Sequence, residues 1–568
     1  MGRAIQWFAV AVVWLLVVGA VAGGWTFIAK PALAARAERQ VLMTAIKESL
    51  DTLRQRSKGP IQQPEFENNR TNDELRIINA DLIDQVDGRK PVARLPDRSI
   101  RVGLDSFAGY APLRSARMAE LLAVEGAKLQ VVDDGGDTLK RATQLARGEL
   151  QAAAITVDAL LLAMGTSQSP ANAIGGRVSI IAVLDESVGA DAIVSHRTGL
   201  GNIDGLRKSG AGLVLVGGSA SEMLARVLVA SFDIPGIVLP GPGTPAGTGV
   251  TLLKTQDDVL RQLKSGSPDA ARGFALWEPH VSQALSGKSV HTIFDSSRVK
   301  GMIVDVLAVN SQWLADQPAD ARLVIQCWHR ALAETTPSAR VLADSPKLSA
   351  EQAGRIASGI WWKTVSENFA HFGIYTGRAA SSCPPLGSII TAVSRVLSET
   401  GAMQVSLSDA DAQSLIDGSI MRELSTATWH PLSPEMLGEG EIKPAAELPR
   451  LGPGWQAQLR ELGTLRTGRL VFGRGSSELS DSSRGSIEQL ALTLDRFPGT
   501  YVVVTGQARS GGDPAANQEL AAARAQAALE GLVRAGIARS RFVVTTALPT
   551  NDEADAQSVV FVLAEVAP

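Results

Sequence analysis

Between Ile100 and Leu276 short apolar strands alternate with helical stretches, and that alternation limits the fold more than any other feature of the chain. Strands are expected at Ile100–Leu104, Leu129–Val132, Ala152–Thr156, Ser179–Leu184, Ala192–Ser195, Gly212–Val216 and Gly273–Leu276. Helices are expected between them at Ser115–Glu125, Thr138–Arg147, Ser221–Ser231 and Thr255–Lys264. Strands separated by helices of about 10–15 residues predict parallel sheets with helices on both faces. Such sheets receive ligands at the carboxyl ends of their strands, near the topological switch point.

The remaining segments divide the 568 residues into an ordered series. Residues 4–28 are apolar and uncharged, between Arg3 and Lys30. The run is long enough for a transmembrane anchor, since about 20 apolar residues span a bilayer. A cleaved signal peptide is the alternative, with Ala32-Leu-Ala34 as its site. Residues 31–97 read as a stalk and a broken, polar linker; residues 98–425 hold the α/β pattern and end in a mostly helical part that includes Leu348–Phe372 and Leu386–Thr400. A Pro/Gly-rich linker spans 426–465, and 466–568 form a second small α/β domain whose first strand is expected at Arg469–Phe472. The fold class is therefore α/β behind an N-terminal transmembrane helix.

A net charge of −3 with 20% charged residues gives no electrostatic footprint for nucleic acid. The six histidines are scattered without metal-ligand spacing, and Gly217-Gly-Ser-Ala-Ser221 lacks the last glycine of a nucleophile elbow. Gly241-Pro-Gly-Thr-Pro-Ala-Gly247 has the wrong spacing for a phosphate loop, and its prolines remove donors. No enzyme, cofactor or metal is expected. Cys327 and Cys383 could pair in an oxidising compartment or stay reduced.

Ligand contacts are expected where strands meet loops. Phe107, Gly109 and Tyr110 form an aromatic loop after the first strand, with Gly109 allowing close approach. Thr156, Asp158, Ser187, Asp191 and Asp305 lie at strand ends. Ser219 precedes a helix whose amino end could receive an anionic group, and Trp277-Glu278 follows a buried strand. Trp277 is either a ligand stack or hinge packing. The acids at these positions outnumber the nearby basic candidates, Arg114 and His196, which leans toward a ligand bearing an amine or heterocyclic nitrogen. Carboxylates that merely cap helices or stay solvated are the alternative.

Phe107-Ala-Gly-Tyr-Ala-Pro112, Gly148-Glu-Leu-Gln-Ala-Ala-Ala-Ile-Thr-Val-Asp158, Leu184-Asp-Glu-Ser-Val-Gly-Ala-Asp191 and Trp277-Glu-Pro279, in that order, resemble the nitrate/sulfonate/taurine class of ABC-transporter substrate-binding proteins. The resemblance implies a two-lobed, type 2 periplasmic-binding-protein-like clamp that delivers a small-molecule solute to an ABC permease. Leu470-Val-Phe-Gly473, Val502-Val-Val-Thr-Gly506 and Asn517-Gln-Glu-Leu520 followed by Arg524-Ala525 resemble the OmpA C-terminal-like family. That resemblance implies a peptidoglycan site in which Arg524 holds a carboxylate of the peptide stem, with Asn517 two turns back on the same helical face. The family's aspartate position falls on Arg509, so its attraction for an ammonium becomes repulsion. Weak wall binding with Asp513 as substitute acid, binding of another anion by Arg509 and Arg524, and a purely structural role remain open. The whole is expected to be a single-pass inner-membrane protein with its bulk in the periplasm. It would serve as a solute-binding component or, alternatively, as a ligand sensor or envelope scaffold.

Overall fold

The computed structural model describes residues 98–165, 177–241, 247–374, 383–426, 448–449, 451–452, 454–466, 470, 472–473, 475–508, 513–547 and 559–566. The chain divides into two compact units, 1–77 and 78–568, and all described residues belong to the second. The apolar run 4–28, the stalk and Arg509 lie outside the described residues. Among the described residues no helix is long and apolar enough to cross a membrane.

The first lobe begins with β1 (Ser99–Leu104), β2 (Lys128–Asp133), β3 (Ala152–Thr156) and β4 (Val178–Ser187). The chain then passes through residues 188–190 into a second lobe made of β5 (Asp191–His196), β6 (Gly212–Val216), β7 (Val250–Leu253), β8 (Arg272–Trp277) and β9 (Val290–Asp295). It returns through residues 296–303 to β10 (Val304–Asn310) and later adds β11 (Ile360–Trp362). The first sheet runs β11-β4-β10-β3-β1-β2 and the second β7-β6-β8-β5-β9. Val-, Ile- and Ala-rich strands such as β3 and β6 are buried along their whole length, as strands covered on both faces must be.

Two expectations fail here for identifiable reasons. The sheets are mixed: in the first, β10 re-enters from the other lobe and lies antiparallel to both β3 and β4, and in the second β5 lies antiparallel to β8 and β9. Local spacing carries no information about a strand returning from another lobe. The continuous helix expected at Leu348–Phe372 is broken into helices Ala350–Ser358 and Val365–His371 by β11. Ile360-Trp-Trp362 favours a strand, and Gly359 permits the break. The Gly359 carbonyl accepts from the backbone N–H of Val188 and of Ala190, and a Cβ on it would stand 2.8 Å from the Ala190 nitrogen.

The C-terminal sheet runs β12 (Leu459–Thr464)-β15 (Val559–Val566)-β13 (Tyr501–Gly506)-β14 (Phe542–Thr546), with helices Asp481–Leu494 and Pro514–Arg534. Its edge strand therefore lies inside the stretch read as linker. Of the first strand expected at Arg469–Phe472 only Leu470 and Phe472 are described, and Phe472 forms an isolated bridge with Leu479.

This sheet packs directly on the second lobe. Phe232, Phe294 and Phe497 form an aromatic triangle with ring centroids 5.8–6.2 Å apart. Arg298 binds Glu565 through two parallel hydrogen bonds of 2.9 and 3.0 Å, and Asp204 accepts from the N–H and hydroxyl of Thr464. Arg496 pairs with Glu399 at 2.8 Å, on the helix Leu386–Glu399. That helix touches both lobes through helices Val157–Gly165 and Ala220–Ser231. Cys327 is a free buried thiol, pushed up to about 11 by burial.

Candidate functional site in the interlobe cleft

The pairing of β3, β10, β4 and β11 sets Thr156, Asp305, Asp185 and Trp362 in one row across the first sheet. In the second lobe Asp191, at the start of β5, pairs with Trp277, at the end of β8. These two rows meet at a small cavity of about 40 Å³. Its first-lobe lining is Asp105, Phe107, Tyr110, Gly136, Thr138, Arg141, Thr156 and Asp305; its second-lobe lining is Asp191, Ser219, Ala220 and Trp277. Across the cleft the Thr138 hydroxyl donates to the Gly218 carbonyl at 2.8 Å, so the lobes are latched shut.

Seven of the expected contacts thus come together: Phe107, Tyr110, Thr156, Asp191, Ser219, Trp277 and Asp305. The other four have different surroundings. Gly109 lies behind the aromatic loop, where a Cβ would meet the Phe107 ring at 2.3 Å and Asp185 Oδ2 at 2.6 Å. Ser187 is committed to the crossing between lobes, its hydroxyl 2.8 Å from that of Ser296. Asp158 is buried beside the cleft at the first turn of its helix. Glu278 accepts from the N–H and hydroxyl of Ser282 and faces a separate groove behind the crossing.

Arg114 and His196 supply no charge to the cavity. Arg114 forms a two-point pair with Asp344, and His196 Nε2 lies 3.0 Å from the Leu263 carbonyl. The lining cation is instead Arg141, which sequence reading did not single out. It lies on the buried stripe of its helix with Ala142 and Leu145, and a charge on an apolar stripe was the signal available. Gly103 makes the room, since a Cβ there would stand 2.9 Å from Arg141 Cγ. Arg141 donates twice to Asp134, once to Asp105 and once to the Ala154 carbonyl, at 2.6–2.8 Å. Burial alone would lower its pKa, but these partners hold it well above the usual value.

The acids behave differently. Burial pushes the Asp191 carboxyl up to about 7, helped by the charges of Asp158 and Glu278. Burial likewise lifts Asp158 to about 7 and Asp185 to about 8. Asp305 is raised by burial and then by the charge of Asp185 beside it; the Tyr110 hydroxyl donates to it. Glu186 is the exception: burial would raise it, but Lys363, 2.7 Å away, draws it below its ordinary value. Among the described residues Asp191 Oδ1 has no hydrogen-bond partner.

The amino end of helix Ala220–Ser231 has no side-chain cap and carries Glu222 in its first turn. Glu222 accepts from the Gly218 N–H at 2.6 Å and pairs with Arg226, while the Ser219 hydroxyl donates to the Val216 carbonyl. In the C-terminal domain Arg524 is buried, donates to the carbonyls of Gly473 and Ser476, and lies over the Phe472 ring. Asp513 caps the helix Pro514–Arg534 by accepting from the Ala515 N–H, and Asn517 is half-buried in its first turn.

The two-lobed part is similar in structure to the periplasmic aliphatic sulphonate binding protein SsuA of Escherichia coli, at 13% identity and a TM-score of 0.40, covering 56% of this chain and 92% of that one. It is also similar to the periplasmic nitrate-binding protein NrtA of Synechocystis, at 13% identity and a TM-score of 0.42, covering 60% and 91%. The alkanesulfonate-binding protein SsuA of Xanthomonas axonopodis, bound to MOPS, gives 13% identity, a TM-score of 0.41 and coverage of 58% and 100%. No curated protein matches the sequence. Residues 471–558 match the OmpA family, which assigns that family to the C-terminal domain.

Proposed function

We propose that residues 98–426 are a clamp that binds a small solute between its lobes, in a protein held in the cell envelope by its OmpA-family domain. The observation that carries this reading is the cavity itself, lined by residues from both lobes and bridged by the Thr138–Gly218 hydrogen bond. The lobes are joined by the two crossings at 188–190 and 296–303, with Ser187 and Ser296 bonded where they meet. Short crossings of this kind absorb hinge rotation. An inner-membrane anchor at 4–28 would place the clamp in the periplasm, where an ABC-type permease is its expected partner.

A second reading, a non-transport sensor or scaffold, is favoured by the C-terminal domain's shared aromatic core with the second lobe. A clamp fixed to an envelope domain presents its closure to a neighbour instead of diffusing to one. Peptidoglycan contact through Arg524 is not favoured in either case, because its guanidinium is buried under the Gly473 and Ser476 carbonyls.

A thermal-shift screen of the full-length chain against small anions, cations, zwitterions and neutral solutes tests the clamp. A solute that binds the folded state raises the melting temperature by mass action. One class is expected to do so, and Trp277→Ala is expected to abolish the shift while the protein still melts cooperatively. A folded chain that no class stabilises would remove the clamp from both readings.

A further inference from the structure

The cavity is lined by three carboxylates, Asp105, Asp191 and Asp305, against one cation, Arg141. Arg141 already commits four of its five N–H donors, to Asp134, Asp105 and the Ala154 carbonyl. Asp105 is the only lining acid it neutralises. On the opposite wall Asp191 is 1% exposed and its Oδ1 has no partner. Asp305 accepts from Tyr110 and stands across from Asp185 in the next strand, whose raised carboxyl hydrogen-bonds with it. Lys363, the cation behind that pair, is bound to Glu186. Among the described residues an entering anion would find no uncommitted side-chain cation at the cavity, only the carboxyls of Asp191 and Asp305, with the Glu222 carboxylate in the first turn of the nearby helix. A buried carboxylate without a partner is costly, and a donor cation brought by the ligand removes that cost.

We propose that the solute is a small organic cation, its ammonium or amidinium N–H groups received by Asp191 and Asp305 among the rings of Phe107, Tyr110 and Trp277. Aromatic faces attract such cations as well as excluding water from them. The inference rests on the reading of the cleft as a clamp and adds the charge class. It also carries a proton signature. Asp191 faces Asp158 on one helix and Glu278 at the end of β8; Asp305 faces Asp185, Asp105, Asp191 and Tyr110, with Glu186 and Lys363 behind. Carboxyls raised by burial hold protons in the empty cavity and must release them to pair with a cation.

The test is calorimetric titration of the full-length chain with ethylamine, ethanolamine, choline and guanidine as chloride salts, and with ethanesulfonate and nitrate as sodium salts. At least one cation is expected to bind, both anions are not, and affinity is expected to rise from about pH 6 to about pH 8 with measurable proton release. Asp191→Asn is expected to weaken the cation by about tenfold or more without lowering the melting temperature. Binding of ethanesulfonate or nitrate in preference, or cation binding indifferent to Asp191→Asn, would overturn the charge class and leave the clamp standing. No binding by any salt, with a flat thermal screen, would overturn the clamp itself.

Discussion

Asp185 was not among the residues expected at the site, yet its surroundings are as unfavourable to charge as any described. It stands directly across from Asp305, fully buried, with another carboxyl as its nearest neighbour. A carboxyl whose folded pKa is raised binds more protons folded than unfolded, so its contribution makes stability fall as pH rises. The window runs from about pH 4, where the unfolded group ionises, to about pH 8, where the folded one does. Thermal melts of the solute-free chain and of Asp185→Asn should therefore diverge as pH rises. The variant should be more stable by about 1–3 kcal/mol at high pH, with little difference near pH 4. A divergence toward acid pH would contradict the assignment. Sequence reading placed Asp191 and Asp305 at the cleft because strand ends at a switch point border it, and both line the cavity. It missed Asp185 because only the long-range register of β4 against β10 makes that residue a neighbour of Asp305. Gly109 is a further case: its use is close approach, as expected, but toward Phe107 and Asp185 and not toward solute. Gly109→Ala should cost about 1–3 kcal/mol by overpacking, read as a lower denaturant midpoint.

Among the elements, local pattern served best where a helix or strand begins and ends by its own chemistry. The helix expected at Thr138–Arg147 runs Thr138–Ala146, capped by Asp137, and that expected at Ser221–Ser231 runs Ala220–Ser231. β11 was hidden because Ala350–Ser358 and Val365–His371 flank it with well-capped helices, each carrying a capping box. That short strand delivers Lys363 to Glu186, with the ammonium 3.2 Å above the centroid of Trp361. Both members of the pair are buried. Lys363→Met leaves Glu186 charged and unpaired, and should cost about 3–5 kcal/mol in chemical denaturation. Adding Glu186→Gln should recover most of it. A single variant as stable as the parent would mean that the pair does not hold the edge of the sheet.

At the scale of the whole molecule, prolines and glycines between 426 and 465 read as an interdomain linker. The structure instead carries β12 through that stretch and fixes the C-terminal domain to the second lobe through Phe232, Phe294 and Phe497 and the Arg298–Glu565 pair. Composition could not reveal this, because the packing joins residues more than two hundred positions apart. Calorimetry should show the clamp and the C-terminal domain melting together, and Phe497→Ala, by opening a cavity at the junction, should separate them into two transitions. Two independent transitions in the unaltered chain would show that the junction does not couple them. Helix Leu386–Glu399 touches both lobes, so opening that breaks the Thr138–Gly218 latch while keeping those contacts must be a rotation of small amplitude.

The most direct test is the distance between the lobes in solution, with and without solute. Leu139 and Leu252 are exposed, one on each lobe, and both native cysteines are buried, so spin labels can be placed at Leu139→Cys and Leu252→Cys. Pulsed electron resonance on the full-length chain should give a longer or broader distance distribution in the empty protein. Adding the solute that raises its melting temperature should collapse that distribution to one short distance. The same single short distance with and without that solute would contradict a clamp.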